Sequence, residues 1–102
     1  MNFMLPSHLR RIAVCTRPVS MRWGPTRLAK FLQDELGTAT EPGTGYLFVN
    51  NAQDHMLVYW LTGDGGESIQ KKLDRGAFLM PTAAAGESLV MMRPTALAKL
   101  FR

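Results

Sequence analysis

The sequence predicts an α+β fold: one antiparallel β-meander sheet with two packed helices. Three observations carry this expectation. Between Gly45 and Pro81, four short segments rich in β-branched, aromatic or alternating residues are separated by clusters of Asn, Asp and Gly, which tolerate tight reversal. Leu28, Phe31, Leu32 and Leu36 recur at helical spacing ahead of them. A short apolar segment opening at Pro94 follows them. Strands that cluster apart from helices point to α+β. The chain has 102 residues, 46% of them hydrophobic, which suits one domain over residues 1–102 that builds its own core, with the meander at 45–81 as its centre.

The elements follow in chain order. Residues 1–7 read as a lead-in, and Leu9 to Cys15 as a strand with Leu9, Ile12 and Val14 as its apolar members. Cys15, the single cysteine, excludes an intrachain disulfide framework and reads as a small core residue. Pro18 turns Arg17 away from helical geometry. The first helix has Pro25 in its first turn, Gly24 at its cap and Gly37 as its stop. Residues 38–44 form a polar loop.

The meander strands are expected at Tyr46–Asn50, Met56–Thr62, Glu67–Leu73 and Ala77–Met80. The second is apolar on both faces, with Met56, Val58 and Trp60 pointing one way and Leu57, Tyr59 and Leu61 the other. Such a strand is covered on both sides. The helices cover one face; the other calls for the remaining chain, a second copy or a ligand. The third strand, with Ser68, Gln70 and Lys72 between Ile69 and Leu73, reads as close to an edge. Leu89–Met92 adds a short strand, and the terminal helix is expected to bury Leu97, Leu100 and Phe101.

Charge is unevenly distributed. Net charge is +4, and six of the twelve basic residues (Arg10, Arg11, Arg17, Arg22, Arg27 and Lys30) precede the first acid, Asp34. A cluster of one sign raises the local potential and attracts polyanions, or simply forms a solvated face. The N-terminal residues lack the continuous apolar core of a secretory signal, and no apolar run is long enough to span a bilayer. A soluble, cytoplasmic protein without a membrane partner is expected.

The residues do not assemble an enzyme motif. Asp64, Glu67 and Asp74 offer oxygen ligands of the kind Mg²⁺ takes, but Asp64 and Asp74 fall in turns, where Asp is expected for backbone reasons. His8 and His55 lie in no metal-ligand spacing, and Gly63-Asp64-Gly65-Gly66 lacks the Lys and the helix of a phosphate cradle. Leu47-Phe48-Val49 is akin to a strand of an RNA-binding sheet, without the partner motif that would supply stacking aromatics. Tyr46, Phe48, Tyr59 and Trp60 read as core or interface residues. No catalytic residue, metal or cofactor is assigned.

The order and spacing of several segments resemble a known family. Gly45, Leu47-Phe48-Val49, Trp60, Gly63-Asp64-Gly65, Lys71-Lys72-Leu73-Asp74-Arg75-Gly76, Phe78 and Pro81 are similar to the pattern of the Orf2-like, or TnpB, accessory proteins of the insertion-sequence family numbered sixty-six. Met21-Arg22 with Gly24, then Leu28-Ala29, resembles that family's entry to its helix, and Leu97-Ala98-Lys99-Leu100 its terminal helix. Ser20 stands where the family has an acid, Trp23 where it has a basic residue, and Gly66, Ile69, Gln70 and Met80 where it often has aromatics.

The resemblance implies a non-catalytic accessory role in transposition, beside a separate transposase. On that reading the partners are DNA, the transposase of the same element, or both, and Arg17, Arg22, Arg27, Lys71, Lys72 and Arg75 are the candidate nucleic-acid-binding residues. Lysine and arginine bind phosphates without reading sequence. For Arg22 and Arg75 a second reading stands open, pairing with Asp64 or Asp74 to pin the turns. The alternative function is a protein-interaction module that self-associates through the apolar second face of the sheet without binding nucleic acid.

Overall fold

The computed structural model describes residues 5–81 and 87–100. Strand β1 (Arg11–Cys15) leads to helix α1 (Pro25–Leu36), then β2 (Thr44–Val49), β3 (His55–Thr62), β4 (Gly65–Lys72) and β5 (Leu89–Met92); a 3-10 helix spans Pro94–Leu100. The strands form one five-stranded sheet in the order β4-β3-β2-β1-β5.

The sheet is mixed, which corrects the expected antiparallel meander. β2, β3 and β4 do run antiparallel in sequence, with Tyr46 opposite Tyr59 and Val58 opposite Ile69. But β1 pairs parallel with β2, Ala13 opposite Tyr46, and α1 makes the crossover between them. A parallel neighbour needs such a crossover, which Thr16 to Gly43 is long enough to supply.

The expected fourth meander strand, Ala77–Met80, is not a strand. The chain leaves β4 through Asp74-Arg75-Gly76, with Gly76 at φ 78°. It then crosses the sheet face instead of pairing at the edge. Leu73 and Phe78 are buried there and Met80 packs beside them. The Leu73 amide donates to the Asp54 carbonyl and the Phe78 amide to the Gln53 carbonyl, both at 2.7 Å, so the β2–β3 hairpin holds this segment by its backbone.

Among the described residues there is one α-helix, not two. Its N-terminus has Gly24 in extended geometry before Pro25, and Gly37 closes it at φ 65°, the left-handed conformation that glycine adopts without strain. The terminal element is a 3-10 helix that buries Leu97. The expected burial of Leu100 and Phe101 lies outside the described side chains.

The two sheet faces have separate covers. On one, Leu28 and Leu32 of α1 pack on Ala13, Cys15, Tyr46, Phe48, Leu57 and Tyr59. Each buried leucine contributes about 1.5–3 kcal/mol of transfer free energy. On the other, Leu9, Leu73, Phe78 and Leu97 cover Ile12, Val14, Leu47, Val49, Met56, Val58 and Trp60. The chain itself covers the second face, which is one of the three covers that the sequence left open. Gly45 makes that packing close: a Cβ there would come within 2.9 Å of Ile12 and 3.1 Å of Leu9.

Candidate nucleic-acid interface

The basic residues of the first third converge on α1. Arg17, on the loop after β1, lies over the Phe31 ring at 5.3 Å, and Arg27, in the first turns of α1, lies over the Trp23 ring at 4.4 Å. Trp23 meets Phe31 edge-on at 5.3 Å, and Phe31 meets Phe48 of the core at 6.4 Å. Four-residue spacing explains the row: positions 27 and 31 are neighbours on one helix face, and Trp23 precedes them by the same interval. These side chains line a groove of about 590 Å³ together with Pro18, Lys30, Asp34 and Glu35.

Cation–aromatic contacts of this kind hold a guanidinium while leaving its in-plane donors free. The groove is not uniformly positive. Glu35 approaches Arg17 at 3.9 Å, an exposed pair of small energetic weight. α1 has no acid in its first turn, so the positive end of its dipole stands uncompensated beside Arg27.

Arg22 is exposed in the turn that enters α1, where its amide donates to Ser20 Oγ at 3.2 Å. It does not line the groove. Neither Arg22 nor Arg75 forms an ion pair among the described residues, so the pairing with Asp64 or Asp74 that would pin the turns is not made.

The second group of candidates is dispersed. Lys71 lies opposite Met56 and Lys72 opposite His55, so the two point to opposite faces of β4. Lys72 is taken up by Asp54 at 3.4 Å. Arg75 is exposed in the turn beyond the strand.

That hairpin is a small polar network of its own. Asn50 Oδ1 accepts the amides of Asp54 and His55 at 3.1 Å each, and Asn50 Nδ2 donates to Asp54 Oδ1 at 2.7 Å. The Asn50 amide, then Lys72, holds the Asp54 carboxyl below its ordinary pKa. Burial pushes the Cys15 thiol up, fitting a core residue over a reactive one.

Asp64, Glu67 and Asp74 are not gathered into a site. Asp64 sits in the β3–β4 turn, accepting from Thr62 Oγ1 at 3.1 Å, and Asp74 lies past the other end of β4. At about 3.3 Å per residue an eight-residue strand holds them roughly 25 Å apart. Among the described residues no group of three His, Cys, Asp or Glu side chains is placed to hold a metal ion.

Trp23, Lys30 and Phe31 join the site although, of the groove's lining, only Arg17 and Arg27 were named as candidate binding residues from the sequence. The signal was available in the interval of four that links Trp23, Arg27 and Phe31.

The structure thus defines a small mixed-sheet α+β domain with a basic, aromatic-lined groove along its helix. Residues 10–102 match the family described as IS66 Orf2 like protein, TnpB_IS66, and the chain belongs to that family. This is a family of accessory proteins of insertion-sequence transposition. The chain is also similar to a protein of Sinorhizobium fredii (strain NBRC 101917 / NGR234) named "Uncharacterized protein y4hO", with 33% identity over 84 residues, 81% of this chain and 73% of the other. No solved structure matches. Among the described residues no helix is long and apolar enough to cross a membrane.

Proposed function

We propose that this accessory protein contacts the DNA of its insertion sequence through the α1 groove, with Arg17, Arg27 and Lys30 binding phosphates and Arg22 extending the surface. The observation that carries the reading is the stacking of Arg27 on Trp23 and Arg17 on Phe31, which presents two guanidinium groups from one groove. The uncompensated helix N-terminus adds to the potential there. Phosphate contacts of this sort position a protein on a duplex without selecting sequence. Lys71, Lys72 and Arg75 are secondary in this reading, because they face different ways and Lys72 is engaged. The protein acts in the cytoplasm beside the transposase, which performs the strand chemistry.

A second reading draws on Asp34 and Glu35, which share the groove with the cations. Mixed charges suit a protein surface, and the transposase is then the occupant. Fluorescence anisotropy with short random duplex DNA separates the two. Salt-sensitive binding supports the DNA reading; no binding even at low salt removes it and leaves the transposase.

A further inference from the structure

The two edges of the sheet differ. β4 carries Glu67, Lys71 and Lys72 along an exposed strand, and charges of that kind discourage further strand pairing. β5 reads Leu89-Val90-Met91-Met92, without a charge, and among the described residues no strand lies on its outer side. Met91 is 51% exposed.

Backbone parity says which groups face outward. β5 pairs antiparallel with β1, Val14 opposite Val90 and Ile12 opposite Met92. The Thr16 amide donates to the Ser88 carbonyl at 2.9 Å, so that pair is hydrogen-bonded. Hydrogen-bonded pairs alternate along an antiparallel ladder. Ser88, Val90 and Met92 therefore turn their backbone groups toward β1, and Leu89 and Met91 turn theirs away from it.

We propose that this edge pairs with the same edge of a second copy, the two β5 strands running antiparallel about a two-fold axis at Val90 and continuing the sheet across both chains. In that register Leu89 faces Met91 of the partner subunit, which matches outward-turned groups with outward-turned groups. Glu87 then faces Arg93 of the partner subunit, and the symmetry repeats the opposite-charge pair at the other end. The segment from Glu87 to Arg93 is complementary in charge to its own reverse, which an isologous contact requires.

A strand contact this short falls below the roughly 1,200 Å² of buried surface that stable complexes reach. A groove of about 230 Å³ beside β5, lined by Arg11, Thr38, Tyr46, Leu89 and Met91 among others, adds to it. Leu89 and Met91 lie on the α1 side of the sheet, opposite Cys15 and Ala13, so Met91 of the partner subunit comes to rest beside Leu89 at this groove.

Sedimentation velocity on the full chain over a range of concentrations tests the proposal. The wild type is expected to show a reversible monomer–dimer equilibrium. Met91→Lys, a charge on the edge, is expected to weaken it about tenfold. Glu87→Arg alone and Arg93→Glu alone each place like charges opposite one another at both ends and weaken it as well. An equal mixture of those two variants restores opposite charges at both ends and recovers the dimer. Circular dichroism checks that each variant folds, and if Met91→Lys does not, the mixing experiment decides alone. A wild type that stays monomeric throughout, or a dimer indifferent to all three substitutions, overturns the proposal.

Discussion

The Arg27 guanidinium lies 4.4 Å from the centroid of the Trp23 ring, on the same groove where Arg17 lies over Phe31. The relationship ties the position of a charge to that of an uncharged side chain. Trp23→Ala removes no charge, yet it frees Arg27 from its platform. DNA affinity is expected to fall about two- to fivefold, the worth of an exposed cation–π contact, and Trp23→Phe is expected to retain most of it. Anisotropy titrations of the three proteins at one salt concentration check this.

Asn50 closes the β2–β3 hairpin by accepting two backbone amides. Asn50→Ala leaves both without that acceptor, and the hairpin also anchors Leu73 and Phe78 through Asp54 and Gln53. A loss of about 1–3 kcal/mol in urea unfolding is expected.

The same hairpin makes stability depend on acid. The Asp54 pKa is lowered in the folded protein by the Asn50 amide and then by Lys72. Its contribution is therefore fully present above the ordinary carboxyl value of 3.8 and is lost as pH falls through the lower folded value. Asp54→Asn is expected to flatten the acid limb of the stability–pH curve between 3.8 and the lower folded value, and to leave its shape near neutrality unchanged. Thermal unfolding across the acid range measures it.

Gly45 has no room for a side chain among Ile12, Leu9 and Val58. Gly45→Val is expected to cost about 1–3 kcal/mol through overpacking. Gly66 is similarly closed by the Tyr59 ring, where a Cβ would come within 2.5 Å.

Cys15 is fully buried and its thiol is shifted up by burial. It is expected to resist iodoacetamide at about pH 8 in the folded protein and to react fully once the chain is unfolded, because the thiolate is the nucleophile. Mass spectrometry of the two samples reports the difference.

Much of the fold was legible where its causes are local. Pro25, the leucine spacing and Gly37 delimit α1, and the alternation in β3 assigns Met56, Val58 and Trp60 to one face and Leu57 and Tyr59 to the other, as observed. The parallel pairing of β1 with β2 was not legible, because nothing within Leu9–Cys15 specifies a partner some thirty residues away. Ala77–Met80 was misread because a short continuous apolar run looks alike whether the segment pairs in a sheet or lies across its face. The Phe78 amide bond to the Gln53 carbonyl holds the segment on the β2–β3 hairpin instead of at the sheet edge.

The candidate site divides the same way. The excess of cations in the first third was visible as a count, but the groove that gathers Arg17 with Arg27 depends on how the loop after β1 folds onto α1. The adjacency of Lys71 and Lys72 suggested one patch, although period two in a strand already places neighbours on opposite faces.

The salt dependence of binding to short random duplex DNA tests the central claim most directly. It is measured for the wild type, for Arg17→Ala/Arg27→Ala/Lys30→Ala and for Lys71→Ala/Lys72→Ala/Arg75→Ala. Each phosphate contact contributes about 0.9 to the slope of log affinity against log salt. The groove variant is expected to lose clearly more slope than the β4 variant. No binding by the wild type at low salt, or a groove variant with the slope of the wild type, would contradict the account.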